Sequence, residues 1–136
     1  MTRIPLAGST PVSTLTGDHV ARVAADASVA DAARMLVSRD VGMVVVGEDR
    51  RPTAVLSERD VVRVVASGDD PTAIRASDIA TTKLIWAGAD DTVDAVAIRM
   101  MEHYIRHILI EQDGTLVGVV SARDLLGVYS SEAAEA

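Results

Sequence analysis

The sequence predicts a mixed α/β (α+β) fold built from two copies of one β-α-β-β-α unit, and three observations carry that prediction. The 136-residue chain matches itself without gaps at a shift of 64 residues. Each copy alternates short apolar strand patterns with helical periodicity. Each copy also runs an apolar strand straight into Ser-x-x-Asp, as Val55-Leu56-Ser57-Glu58-Arg59-Asp60 and Val119-Val120-Ser121-Ala122-Arg123-Asp124.

The shift pairs Ser13 with Ser77, Asp26 with Asp90, Val29 with Val93, Ala33 with Ala97, Asp49 with Asp113 and Val55 with Val119. It also lays Ser57, Arg59 and Asp60 on Ser121, Arg123 and Asp124. Self-similarity at a fixed period is the mark of a duplicated structural unit. Within a copy, a first strand (Val20 to Ala24; Leu84 to Ala87) leads to N-cap candidates at Ala27-Ser28 and Asp91-Thr92. Val29, Ala32, Ala33 and Leu36 then recur at helical spacing, as do Val93, Val96, Ala97 and Met100, so each helix buries one face. Strands at Met43 to Val46 and Ile108 to Ile110 follow, each closed by a turn into a hairpin strand ending at Leu56 or Val120. Ser57 and Ser121 open final helices running to about Ser67 and Val128, with Gly68 as a C-cap signal. Residues 1–11 read as a flexible lead-in, 12–70 and 76–130 as the two repeats, and 131–136 as a solvated tail. Gly68 to Thr72 is the connector, and Ala76 to Ile79 reads as a short helical turn that starts the second copy.

Composition narrows the function classes. Hydrophobic residues make up 49% but aromatics only 2%, with no Phe, so the core is aliphatic and offers no ring platform for single-stranded nucleic acid. A net charge of −7 leaves no basic footprint for nucleic acid or anionic lipid. The absence of Cys excludes disulfides, thiolate catalysis and Cys-type zinc sites, and fits a cytoplasmic location. The strongest apolar run, Met43 to Val46, is too short for a membrane span, and the first residues lack the apolar stretch of a signal peptide.

The Ser-x-x-Asp turns have two readings. Free backbone N–H groups at a helix start favour phosphate, a Ser hydroxyl adds a bond, and a carboxylate three residues on accepts two vicinal ribose hydroxyls. The same residues also make an ordinary capping box, worth about 1 kcal/mol without a ligand. Pattern alone leaves these level. His103 and His107 have no third partner at metal spacing, so no metal is expected. Met35, Met100 and Met101 read as core or dimer-contact residues, and Trp86 as a packing residue or a cover for a base. No nucleophile beside a base and no Gly-rich, Lys-bearing phosphate loop is present, which argues against an enzyme.

At these turns the chain resembles the CBS-domain family, in particular the tandem pair called a Bateman module. The resemblance covers about Val12 to Tyr129 and rests on the unit order, both Ser-x-x-Asp turns, Gly118-Val119-Val120-Ser121-Ala122-Arg123-Asp124-Leu125 and Ile105-Arg106-His107-Ile108-Leu109-Ile110. Ala54 departs from the family pattern where the second copy has Gly118, and Ser stands for the more frequent Thr in both turns. The resemblance implies a pseudo-two-fold pair with two clefts for adenosine compounds, with the Asp on the ribose. One cleft would combine Ser57, Asp60 and Val55 with Ile85, Ile105, Arg106 and His107. The other would combine Ser121, Asp124 and Val119 with Ala27, Val41, Gly42 and Met43. Only the first offers cationic groups for phosphate, in Arg106 and His107. The implied function is a regulatory sensor of AMP, ADP, ATP or S-adenosylmethionine that needs no further cofactor. The implied partners are a second copy in a homodimer and an unidentified protein. The alternative is a ligand-free structural, dimerisation or protein-interaction module.

Overall fold

A computed structural model describes residues 6–135. The helices form where cap chemistry and periodicity coincide. Ser28 caps α2 (Val29–Arg39) in a reciprocal box with Asp31, and Thr92 caps α5 (Val93–His103) by accepting from the Ala95 N–H. Both helices end at a non-glycine residue with left-handed backbone, Asp40 (φ 52°) and Tyr104 (φ 54°), which the shift of 64 residues makes equivalent. Val29, Ala32 and Leu36 are buried on α2, as are Val93, Val96 and Met100 on α5, while Ala33 and Ala97 stay half-buried.

The strands make two three-stranded sheets of one topology. In one, β1 (Arg22–Val23) runs parallel to β2 (Met43–Val46), which pairs antiparallel with β3 (Val55–Ser57). In the other, β4 (Trp86–Gly88) runs parallel to β5 (His107–Gln112), antiparallel to β6 (Thr115–Ser121). The β5–β6 turn has left-handed backbone at Asp113 (φ 53°) and Gly114 (φ 79°), as a tight hairpin needs. Two helices follow the hairpins, α3 (Glu58–Ala66) and α6 (Ala122–Glu135). No described helix is long and apolar enough to cross a membrane.

The chain divides into two compact units that do not coincide with the linear repeats. One spans Val20–Leu84; the other joins the described residues up to His19 to those from Ile85 onward. The short helix α4 (Ala76–Ile79), expected to start the second copy, instead packs into the first unit, where Ala76 is fully buried. Reciprocally, the 3₁₀ turn Val12–Leu15 places Val12 in the core of the second unit. The backbone bonds obey the repeat shift. Val12 N–H donates to Asp91 O and Ala76 N–H to Ala27 O, both at 2.7 Å. Val93 N–H donates to Thr10 O and Val29 N–H to Ile74 O, both at 2.9 Å. Each unit therefore takes its leading turn from the other repeat's sequence, and buried main-chain groups at the helix starts are satisfied by it.

Two terminal expectations need correction. Residues 1–5 lie outside the described residues, but Leu6–Ser9 forms a helical turn, α1, packed against α5 and α6. The last helix passes Val128 and continues to Glu135, through the segment read as a tail, because Ala and Glu are strong helix formers.

Gly118 and Ala54 differ for a steric reason. A Cβ on Gly118 would stand 2.5 Å from Thr16 Cγ2 and 2.7 Å from its Cβ. The repeat with a Cβ at this strand position, Ala54, has Ala80 at the position equivalent to Thr16. Gly118→Ala is therefore expected to destabilise the protein by about 1–3 kcal/mol in urea unfolding. Adding Thr16→Ala should recover most of that loss; no recovery would place the strain elsewhere.

Candidate functional site

Each Ser-x-x-Asp turn sits where the last strand of a sheet becomes a helix. In the first unit, Ser57 caps α3: its hydroxyl accepts from Asp60 N–H at 3.3 Å, and Asp60 Oδ2 accepts from Ser57 N–H at 2.9 Å. The second unit repeats this, with Ser121 N–H donating to Asp124 Oδ2 at 2.9 Å and Asp124 N–H to Ser121 Oγ at 3.1 Å. Ordinary capping therefore explains one carboxylate oxygen of each Asp. Among the described residues, the hydrogen bonds reach Oδ2 in both, and the other oxygen, Oδ1, is left as an acceptor. It is not sealed off, because no buried side-chain oxygen among the described residues lacks a partner.

The two turns are otherwise unequal. Asp60 is only 8% exposed, whereas Asp124 is exposed. Asp60 Oδ2 also accepts from the Ser57 hydroxyl at 3.1 Å and from Thr81 Oγ1 at 3.4 Å. Thr81 further exchanges both backbone bonds with Val55, at 2.7 and 3.0 Å. The equivalent of Thr81 in the other repeat is Gly17, which has no hydroxyl to offer. Thr81 escaped the sequence reading for that reason: it lies 21 residues beyond Asp60 and has no counterpart to align. Asp60 also borders a cavity of about 260 Å³ within its own unit, lined with Arg63, Val64, Ser67, Asp69, Ile74 and Ile79. That is below the roughly 300–1,000 Å³ typical of small-molecule pockets. A cavity of that size does not enclose a whole nucleotide.

The remaining sequence-derived residues fall into two sets by unit. Ala27, Val41, Gly42, Met43 and Val55 share a unit with Ser57 and Asp60. Met43 pairs with Ser57 across β2 and β3, and Gly42 O accepts from Glu58 N–H at 3.0 Å. Val55 is 3% exposed, and its backbone groups are engaged by Thr81. Ile85, Ile105, Arg106, His107 and Val119 share a unit with Ser121 and Asp124. His107 pairs with Ser121, Leu109 with Val119 and Trp86, and Arg106 O accepts from Ala122 N–H at 2.8 Å. Arg106 is exposed, whereas Ile85, Trp86, Ile105, His107 and Val119 are half-buried. Met100 is core, Met35 packs against the other core, and Met101 is exposed. Among the described residues, no three His, Asp or Glu side chains cluster as metal ligands.

The model of the CBS domain family matches the chain twice, at residues 12–67 and 76–131. A protein of Methanopyrus kandleri is 32% identical over 63% of this chain and 45% of its own length. One of Methanocaldococcus jannaschii is 28% identical over 78% of this chain and 59% of its own. The chain thus spans about half the length of these curated relatives. Among solved structures, a CBS domain protein from Pyrobaculum aerophilum complexed with AMP superposes with a TM-score of 0.78 at 31% identity, covering 91% of this chain and 98% of that one.

The unequal burial predicts unequal costs. Asp60→Ala removes a buried acceptor of three donors and should destabilise by about 2 kcal/mol, against about 1 kcal/mol for Asp124→Ala, which loses an exposed cap. Urea unfolding of both variants measures the difference; equal losses would mean that Thr81 adds nothing at Asp60.

Proposed function

The chain belongs to the CBS-domain family, and from that membership we propose that it is a regulatory module binding an adenine nucleotide, AMP first among the candidates, with Asp60 Oδ1 accepting the ribose hydroxyls. The observation that carries the reading is the division of labour on Asp60. Oδ2 holds the helix cap, the cap leaves Oδ1 unused, and the Asp60 residue lines a cavity of about 260 Å³. A relative at 31% identity is complexed with AMP, which supports the choice of ligand. Ser57 and the start of α3 would meet the phosphate. Because the cavity is too small for a whole nucleotide, the proposal draws its other wall from the second repeat, with Ile85 and Ile105 toward the base and Arg106 and His107 toward the phosphate. Val55 would act only as a packed wall, since its main chain is taken by Thr81. A second, weaker cleft would use Ser121, Asp124 and Val119 with Ala27, Val41, Gly42 and Met43, which bring no cation.

The proposal extends to a homodimer in the cytoplasm that works as a non-catalytic sensor through a partner protein. A ligand can shift such a module only by binding one of its states more tightly. One observation favours a second reading, a ligand-free structural module: capping and Thr81 already give Asp60 a complete structural role.

Thermal unfolding with AMP, ADP, ATP, S-adenosylmethionine and adenosine separates the two, because a ligand that binds only the folded state raises Tm. The nucleotide reading predicts a shift with AMP, and about tenfold weaker AMP binding in Arg106→Ala with adenosine unaffected, as expected for loss of a charged hydrogen bond. No shift with any of these compounds at millimolar concentration would establish the structural reading.

A further inference from the structure

The two repeats build their hairpins differently. β6 begins at Thr115 and pairs with β5 from the turn onward, whereas β3 begins only at Val55. The shift of 64 residues lays Arg50-Arg51-Pro52-Thr53 on Gly114-Thr115-Leu116-Val117. Leu116 pairs with Glu111, but Pro52 in its place has no N–H to give to a strand ladder. Residues 47–54 therefore leave the sheet as an irregular loop. Its ends are tied by Val46 N–H donating to Ala54 O at 3.0 Å and Gly47 N–H to Val23 O at 2.8 Å.

The loop displays one hydroxyl directly behind two cations. Arg50, Arg51 and Thr53 are exposed, while Pro52 is buried and anchors the middle of the loop. Among the described residues the Thr53 hydroxyl has no hydrogen-bond partner. Its repeat equivalent, Val117, has no hydroxyl and is half-buried in β6. Arg50 and Arg51 are the only adjacent arginines in the sequence, so no other Ser or Thr follows such a pair. A kinase takes its target as an extended segment across a cleft, which a loop residue outside the ladder can supply and a strand residue cannot without breaking its sheet. Two guanidiniums just before the target suit a cleft lined with carboxylates, because each makes charge-assisted, bidentate bonds there.

We propose that Thr53 is a phosphorylation site for a protein kinase that reads arginines three and two residues before its target. Thr53 Oγ1 attacks the γ-phosphorus of ATP, and the new O–P bond forms as the bond from that phosphorus to the β–γ bridging oxygen breaks. ADP departs, and the hydroxyl proton passes to a carboxylate of the kinase. The loop 48–53 then goes from two carboxylates balanced by two arginines to a net charge of about −2, with Arg50 and Arg51 placed to bond the new phosphate. This inference does not depend on nucleotide binding.

The full chain, incubated with magnesium ATP and the catalytic subunit of cyclic-AMP-dependent protein kinase, which has that selectivity, should gain one phosphoryl group in intact mass. Fragmentation should map it to Thr53. Thr53→Val should gain none, and the double variant Arg50→Ala, Arg51→Ala should be labelled at least about tenfold more slowly. All three positions are exposed, so the variants should unfold at the same urea midpoint as the parent chain. A peptide of residues 47–57 gives the rate for the same sequence without the fold. A folded chain that stays unlabelled, whether or not the peptide is labelled, would overturn the proposal. Phosphate on another Ser or Thr, or an undiminished rate in the arginine variant, would overturn it as well.

Discussion

Two reciprocal capping bonds between Ser57 and Asp60, repeated between Ser121 and Asp124, mark where each sheet stops and its last helix begins. The Ser main chain is extended, the helix starts at the next residue, and the carboxylate three residues on closes the corner. Everything proposed about the site depends on this corner. It fixes the start of α3, where Glu58 N–H donates to Gly42 O and Asp60 N–H to Ser57 Oγ, and leaves one carboxylate oxygen of Asp60 outside the cap. A ligand arriving there would use polar groups that capping has already oriented, so little ordering remains to oppose binding.

The second organising feature is the exchange of leading turns. Val12 and Ala76 are both fully buried, each in the core of the unit formed mainly by the other repeat's sequence. The first unit therefore cannot fill its core without Ala76, nor the second without Val12. That exchange also delivers Thr81 to Val55 and Asp60, a few residues beyond α4. The inequality of the two Asp residues follows from it: one repeat delivers Thr81 and the other Gly17. A duplicated device has become one buried, braced copy and one open copy.

Local chemistry was readable in the sequence. Ser28, Thr92 and Ser57 cap where the pattern placed them, and Met43–Val46 is a strand over the expected span, because caps and periodicity act within a few residues. The exchanged turns were not readable. Bonds such as Val12 N–H to Asp91 O join backbone atoms far apart in sequence, and a shift of 64 residues maps either assignment onto itself. Thr81 was hidden for a related reason, since nothing in a Ser-x-x-Asp turn announces a distant hydroxyl. The charge contrast between the cleft halves was legible as residue types, but Arg106 and His107 lie beside Ser121 in their own unit. Their use by Ser57 and Asp60 belongs to the proposed function.

A crystal structure of the chain grown with saturating AMP tests the central claim most directly. The account predicts ribose hydroxyls within hydrogen-bond distance of Asp60 Oδ1 while Ser57 N–H still donates to Asp60 Oδ2 near its present 2.9 Å. Ribose bound away from Asp60, or an Asp60 side chain that abandons the cap to reach it, would contradict the claim that one carboxylate serves helix and ligand at once.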